Sequence, residues 1–100
     1  HAYDPRYQVM LEVAQLHHAK PPATSAEWVE RLKDGPLEDR FRDRRGNPKS
    51  ARACSTIVGS LFTEYLDARF SVDGKAYELA RAYPNGPTRS PTYAFKQVTS

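Results

Sequence analysis

The apolar residues of this chain change their spacing once, between Leu66 and Phe70, and that change limits the folds available to it. Before it, apolar side chains recur every three or four residues, which is typical of one face of an α-helix. After it, apolar and polar side chains alternate, as in a strand with one buried face. The chain therefore predicts an α+β fold in which helices precede a small antiparallel sheet.

The helix before the change is the clearest predicted element. Asn47-Pro48 or Ser50 can cap it, and we predict that it begins near Asn47. Gly59 lies in its middle at a cost of roughly 1 kcal/mol relative to alanine, which predicts close packing against a neighbouring helix. Its apolar stripe comprises Ala53, Cys54, Ile57, Val58, Leu61, Phe62, Tyr65 and Leu66.

Two shorter helices are predicted nearer the beginning of the chain. Asp4 followed by Pro5 is typical of a helix start, which predicts a first helix over residues 5–19. Thr24 and Glu27 resemble a capping box at the start of a second helix over residues 25–33. With the helix described above, this makes three main helices.

The strands after the change form a hairpin and a return strand. Asp73-Gly74 is a strong signal for a two-residue turn between strands that carry Phe70 and Leu79. A long loop follows, whose tip is residues 85–90, and the last strand covers residues 92–96. Helices, hairpin and long loop occur in the order of a winged helix-turn-helix domain.

The composition bounds the class of protein. The chain has 100 residues, enough for one domain, and no apolar run approaches the roughly 20 residues that span a membrane. Its one cysteine, Cys54, excludes an internal disulfide and fits a reducing, cytoplasmic location. Because the chain starts with His1 rather than methionine, we expect residues 1–100 to be one domain cut from a longer protein.

The charges are divided unevenly. The net charge is +3, but residues 1–39 carry four cations and seven acids, whereas residues 40–100 carry eleven cations and five acids. This separation indicates that the basic part meets a polyanion while the acidic part faces solvent or a partner protein. The expected partners are therefore DNA and, through the acidic half, a replication protein or another domain of the same protein.

The basic run from Arg40 to Arg52 holds six cations and one carboxylate and leads into a helix N-terminus, which itself favours anions. Such a run can also be a solvated surface. The DNA-binding hypothesis assigns phosphate contacts to Arg42, Arg44, Arg45, Lys49 and Arg52. It assigns contacts with the backbone or base edges to Asn47, Ser50, Ser55 and Thr56, and contacts from the hairpin and its tip to Lys75 and Arg89.

Catalytic and metal signals are weak. The chain has no Ser/His/Asp order, no glycine-rich phosphate loop and no pair of acids in an evident cleft. Adjacent histidines on a helix, as at His17 and His18, point about 100° apart and lack companions at metal-ligand spacing. Cys54 lies on an apolar stripe and is expected to be buried. We therefore expect a chain without catalytic activity, metal or cofactor.

Three segments resemble the winged-helix modules at or near the C-terminus of phage- and plasmid-type primase–helicase and replication proteins. They are the lead-in at residues 46–52, the Phe-x-Val-x-Gly-x-x-Tyr-Glu-Leu stretch at residues 70–79, and the closing Pro-Thr-Tyr-Ala-Phe at residues 91–95. The resemblance implies an accessory, DNA-binding module, with a recognition helix before the first hairpin, in the replication of a phage, plasmid or other mobile element. It implies that any motor or polymerase activity resides elsewhere.

The sequence favours a non-catalytic module that binds duplex DNA rather than single strands. Two alternatives stay open. A protein–protein adaptor would dock through the acidic N-terminal helices and Trp28. A dimeric transcriptional repressor would pair through the stripe of the first helix, which comprises Tyr7, Met10, Leu11 and Ala14.

Overall fold

The computed structural model describes residues 4–98 as three α-helices, a short 3-10 helix and a four-stranded antiparallel sheet, which confirms the α+β class. None of the helices in this range combines the length and apolarity needed to cross a membrane. In chain order the elements are α1 (Pro5–His17), β1 (Ala23–Thr24), α2 (Ser25–Leu32), the 3-10 helix (Glu38–Phe41), α3 (Ala51–Glu64), β2 (Arg69–Val72), β3 (Lys75–Ala82) and β4 (Thr92–Val98).

Side-chain caps fix where the helices begin. Asp4 accepts a backbone N–H of the first turn of α1 at 3.0 Å. Thr24 and Glu27 form a reciprocal capping box at the start of α2, so both predicted starts are confirmed. Ser50 caps α3 by accepting a backbone N–H of its first turn at 3.1 Å.

The third helix begins later than the sequence predicted. Asn47 lies three residues before the Ser50 cap, where its N–H donates to Asp43 Oδ1 at 2.9 Å and its carbonyl accepts the Asp43 N–H at 2.8 Å. The prediction of a helix that begins near Asn47 is therefore wrong, because both backbone groups of this residue are committed to a turn.

The sheet has the strand order β1-β4-β3-β2, and every pair is antiparallel. Asp73 and Gly74 join β2 to β3 with φ angles of +52° and +79°, as a type I′ turn requires. This confirms the predicted hairpin. Residues 83–91 form the long loop between β3 and β4.

The short strand β1 was not predicted. Its two residues pair with the beginning of β4, Ala23 with Tyr93 and Thr24 with Thr92. Because α2 starts immediately afterwards, this pairing places the N-terminus of α2 beside the beginning of β4.

The core lies between the helices and one face of the sheet, and Trp28 is at its centre. The Trp28 ring meets Phe62 and Phe95 edge-on, with centroids 5.2 and 6.0 Å apart, and its Nε1 donates to the Tyr93 carbonyl at 2.9 Å. Because Trp28 is 0% exposed, the docking role assigned to it in the adaptor hypothesis is wrong.

The apolar stripe of α1 is also used within the chain. Met10 and Ala14 are fully buried, and Tyr7 stacks on Phe70 of β2 with ring centroids 5.2 Å apart. The hypothesis of a dimer seam along this stripe is therefore wrong, because its central members already pack against the core.

Gly59 does not pack closely against another helix. A Cβ atom built at this position would have no neighbour within 4 Å, apart from the local backbone of its own helix. The prediction of a close helix contact is therefore wrong, and Gly59 instead lies on the open side of α3.

Candidate nucleic-acid interface

Residues 42–49, which lead into α3, fold as a closed turn that we call the basic loop. An antiparallel bridge joins its two ends. The Asp43 carboxylate accepts the backbone N–H groups of Arg45 and Asn47, each at 2.9 Å. Gly46 adopts a φ of +83°, which side-chain-bearing residues rarely do. The one carboxylate of the loop therefore organises its backbone.

Two contacts hold the basic loop against the body of the protein. The Lys49 N–H donates to the Phe41 carbonyl at 2.8 Å. Below it, the Cys54 sulfur lies 3.8 Å from the Lys49 carbonyl oxygen and 4.0 Å from that of Phe41. Cys54 is buried, as predicted, and thus connects the first turn of α3 to the base of the loop.

The cations of this region differ in how they are paired. Arg42 approaches Glu38 at 3.6 Å and donates to the Gly46 carbonyl at 2.9 Å, so its guanidinium braces the loop. The other predicted phosphate contacts are exposed and form no ion pair with any residue of the range 4–98: Arg44, Arg45, Lys49 and Arg52. Their charge is available to a polyanion.

The exposed face of α3 is the floor of a depression of about 700 Å³, which we call the α3 groove. Its walls come from the beginnings of α2 and β4. Small side chains cover most of the floor, so a ligand can approach the helix closely. The lining residues are Ser25, Arg52, Ser55, Thr56, Gly59, Ser60, Thr63, Glu64 and Tyr93.

The hydroxyl groups predicted to read DNA are partly committed to the protein. Ser50 accepts the capping N–H, and the Thr56 hydroxyl donates to the Arg52 carbonyl at 3.0 Å. Ser55 is half-buried in the α3 groove. Each hydroxyl keeps some hydrogen-bonding capacity, but the free side chains of this face are mainly its cations.

A second cleft, of about 420 Å³, lies on the other side of the ridge made by Thr56 and Ser60. Arg40 lines it and forms no ion pair within residues 4–98. Sequence reasoning included Arg40 in the basic run but did not name it as a contact. Its place in that run was the available signal.

Arg81 marks the C-terminal end of the α3 groove. Its guanidinium donates to Thr63 Oγ1 at 3.5 Å and lies 5.7 Å from the centre of the Tyr83 ring. Arg81 pairs across the sheet with Tyr93, which also lines the groove. The long loop therefore begins beside the α3 groove, a relationship that depends on tertiary packing and has no local sequence signal.

The two remaining predicted contacts lie at opposite ends of β3. Arg89 is exposed in the long loop, beyond Ala82. Lys75 begins β3 at the turn with β2, so about 23 Å of strand separates it from Ala82. The sequence had placed Lys75 beside the tip that carries Arg89, and the structure separates them because each belongs to a different turn.

Two acids adjoin the α3 groove. Glu64 lies at its C-terminal end, where the Arg6 guanidinium contacts both carboxylate oxygens at 2.9 Å. Glu27 follows Ser25 in the first turn of α2, and hydrogen bonds from the Thr24 backbone and hydroxyl lower the pKa of its carboxyl. Both carboxylates are engaged by the protein, which reduces their repulsion of an anion.

No group of three or more His, Cys, Asp or Glu side chains suited to a metal ion occurs within residues 4–98. The groove offers a hydrogen-bonding floor with cations at both ends, which suits binding of an extended anion. No protein-family model matches the chain, and no significant match was found among curated proteins or solved structures.

Proposed function

We propose that this chain is a non-catalytic winged-helix module that binds duplex DNA through α3 and the segments on either side of it. The observation that carries the proposal is the cluster of unpaired cations at the start of α3, next to a groove floored by small polar side chains. Arg44, Arg45, Lys49 and Arg52 supply four positive charges within nine residues.

The topology supports a winged helix. A short strand between the first two helices pairs with the last strand, α3 precedes the hairpins, and the long loop 83–91 occupies the position of a wing. Two features depart from the simplest arrangement. Residues 33–50 separate α2 from α3, and β2 adds a strand before the wing. Neither feature covers the exposed face of α3.

The length of the α3 face matches duplex DNA. Arg52 and Thr63 are eleven residues apart, which corresponds to about 16 Å along a helix. The major groove is about 12 Å wide, so a helix lying across it reaches both sugar-phosphate backbones. Cations of the basic loop would contact one backbone, and Arg81 and Arg89 the other.

The small side chains of α3 indicate how sequence would be read. Long arginine or glutamine side chains, which make bidentate contacts with bases, are absent from the groove floor beyond Arg52. Phosphate contacts would therefore supply most of the affinity, and preference among sequences would be modest. This pattern fits an accessory module in replication better than a repressor of one operator.

The test is an anisotropy titration of a fluorescent duplex at two salt concentrations. The double variant Arg44→Ala/Arg45→Ala should weaken binding to all sequences and lower the salt slope by about 0.9 log units per lost phosphate contact. The matched control is Lys75→Ala/Lys96→Ala, which removes two cations that lie outside the proposed interface. Equal losses in both variants would show that binding follows net charge alone and would refute the assigned face.

A further inference from the structure

Tyr83 is the one exposed aromatic ring within residues 4–98, with 45% of its surface accessible. Every other tyrosine, phenylalanine and tryptophan in this range is buried or half-buried. Exposure of a large ring has a cost in water, so its position beside the α3 groove calls for a ligand that covers it.

The surroundings of Tyr83 orient the ring toward the groove. The Arg81 guanidinium lies over it and also donates to Thr63 Oγ1 in the groove wall. Pro84 restricts the backbone of Tyr83, and the Tyr83 carbonyl accepts the Gly86 N–H at 3.2 Å. The ring therefore projects from a closed turn rather than from a freely moving segment.

A ring with a guanidinium on one face is suited to stacking against a nucleobase, because each base offers a π face whatever its identity. Within an intact duplex those faces are covered by neighbouring base pairs. An uncovered base is present only where the duplex ends or opens. Tyr83 thus lies about one major-groove width from the cations that would hold the duplex.

We propose that Tyr83 stacks on the first unpaired base beside the duplex, so that the ligand of this module is a duplex with a single-stranded extension. The inference rests on the proposed function and deepens it by naming the DNA structure. Arg44, Arg45 and Arg52 would hold the paired part, and Tyr83 with Arg81 would receive the unpaired base.

The experiment compares a blunt duplex, the same duplex with an extension on either strand, and the extension alone. The fluorescent base 2-aminopurine occupies the first unpaired position. The wild-type protein should bind one extended duplex about tenfold more tightly than the blunt duplex and quench the 2-aminopurine. Tyr83→Ala should abolish the preference and the quenching while blunt-duplex affinity is kept, and Tyr83→Phe should retain both.

Leu16→Ala is the matched control, because it removes the other large exposed apolar side chain, which lies on α1. It should retain the preference. Equal wild-type affinity for blunt and extended duplexes, or a preference that survives Tyr83→Ala, overturns the stacking proposal and leaves duplex binding intact. Failure to bind any duplex overturns the proposed function, whereas Tyr83-dependent quenching of the extension alone would retain the stacking role.

Discussion

The Tyr65 hydroxyl donates a 2.7 Å hydrogen bond to Oδ2 of Asp4 and so joins the end of α3 to the cap of α1. This hydrogen bond lowers the pKa of the Asp4 carboxyl. Burial, with the hydrogen bond to Asp4 next in importance, raises the pKa of Tyr65 to about 12. The ion pair between Arg6 and Glu64 lies on the same two helices and supports the same junction.

The first prediction concerns this junction. Tyr65→Phe should lower the thermal midpoint by a few degrees near neutral pH, because it removes a charge-assisted hydrogen bond. The difference from wild type should shrink as pH rises from about 10 to 12, since the unfolded tyrosine ionises first. It should also shrink as pH falls below 3.8, where Asp4 becomes protonated in the unfolded chain. Thermal unfolding across pH measures both changes, and a pH-independent difference would contradict them.

The second prediction concerns His17. Its Nδ1 is buried without a hydrogen-bond partner within residues 4–98, and its ring meets Trp28 edge-on at 5.8 Å. Burial, and then the nearby charges of Lys20 and Arg31, lower the pKa of His17. The unfolded chain therefore binds the proton first, and stability should fall as pH decreases below about 6.5.

Thermal unfolding between pH 7 and pH 5.5 tests this expectation at each step. The midpoint of the wild-type protein should decline over this interval, and His17→Gln should show a smaller decline. An unchanged decline in His17→Gln would show that other groups cause the loss.

The third prediction concerns Gly59. Because a Cβ at this position meets no neighbour and the residue is inside α3, Gly59→Ala should stabilise the protein by about 0.5–1 kcal/mol. Gly74→Ala is the matched comparison. The turn there requires a φ of +79°, so the same added methyl group should destabilise the protein. Chemical denaturation of both variants measures the contrast, and a destabilised Gly59→Ala would show that this side of α3 is not open.

The fourth prediction separates shape from charge in the basic loop. Asp43→Ala and Asp43→Asn raise the net charge equally, but only asparagine keeps an oxygen that accepts the N–H groups of Arg45 and Asn47. Asp43→Ala should therefore bind DNA several-fold more weakly than Asp43→Asn. If the two variants bind equally, the order of the loop does not contribute to the interface.

Local signals were sufficient for much of the fold. The capping box at Thr24, the spacing of apolar residues in α3 and the Asp73-Gly74 turn each depend on neighbours in sequence, and the structure has all three. Strand β1 could not be predicted, because two residues carry no period. It is a strand only through its pairing with Tyr93 and Thr92, far along the chain.

The candidate site shows the same division. The basic run was readable in the sequence, because its cations are consecutive. The roles of Arg81 and Tyr83 were not, because their distance from α3 depends on the register between β3 and β4. Gly59 was misread because an absent side chain indicates either a close contact or an open surface, and only the coordinates distinguish them.

The direction of β4 has a practical consequence for measuring any ligand. The strand begins beside the α3 groove at Tyr93 and ends at Val98, opposite Ala76 near the turn that joins β2 to β3. Attachment of the protein to a sensor surface through that end would leave the groove facing the solution. A dye coupled near Asp73 would likewise report tumbling without obstructing the bound partner.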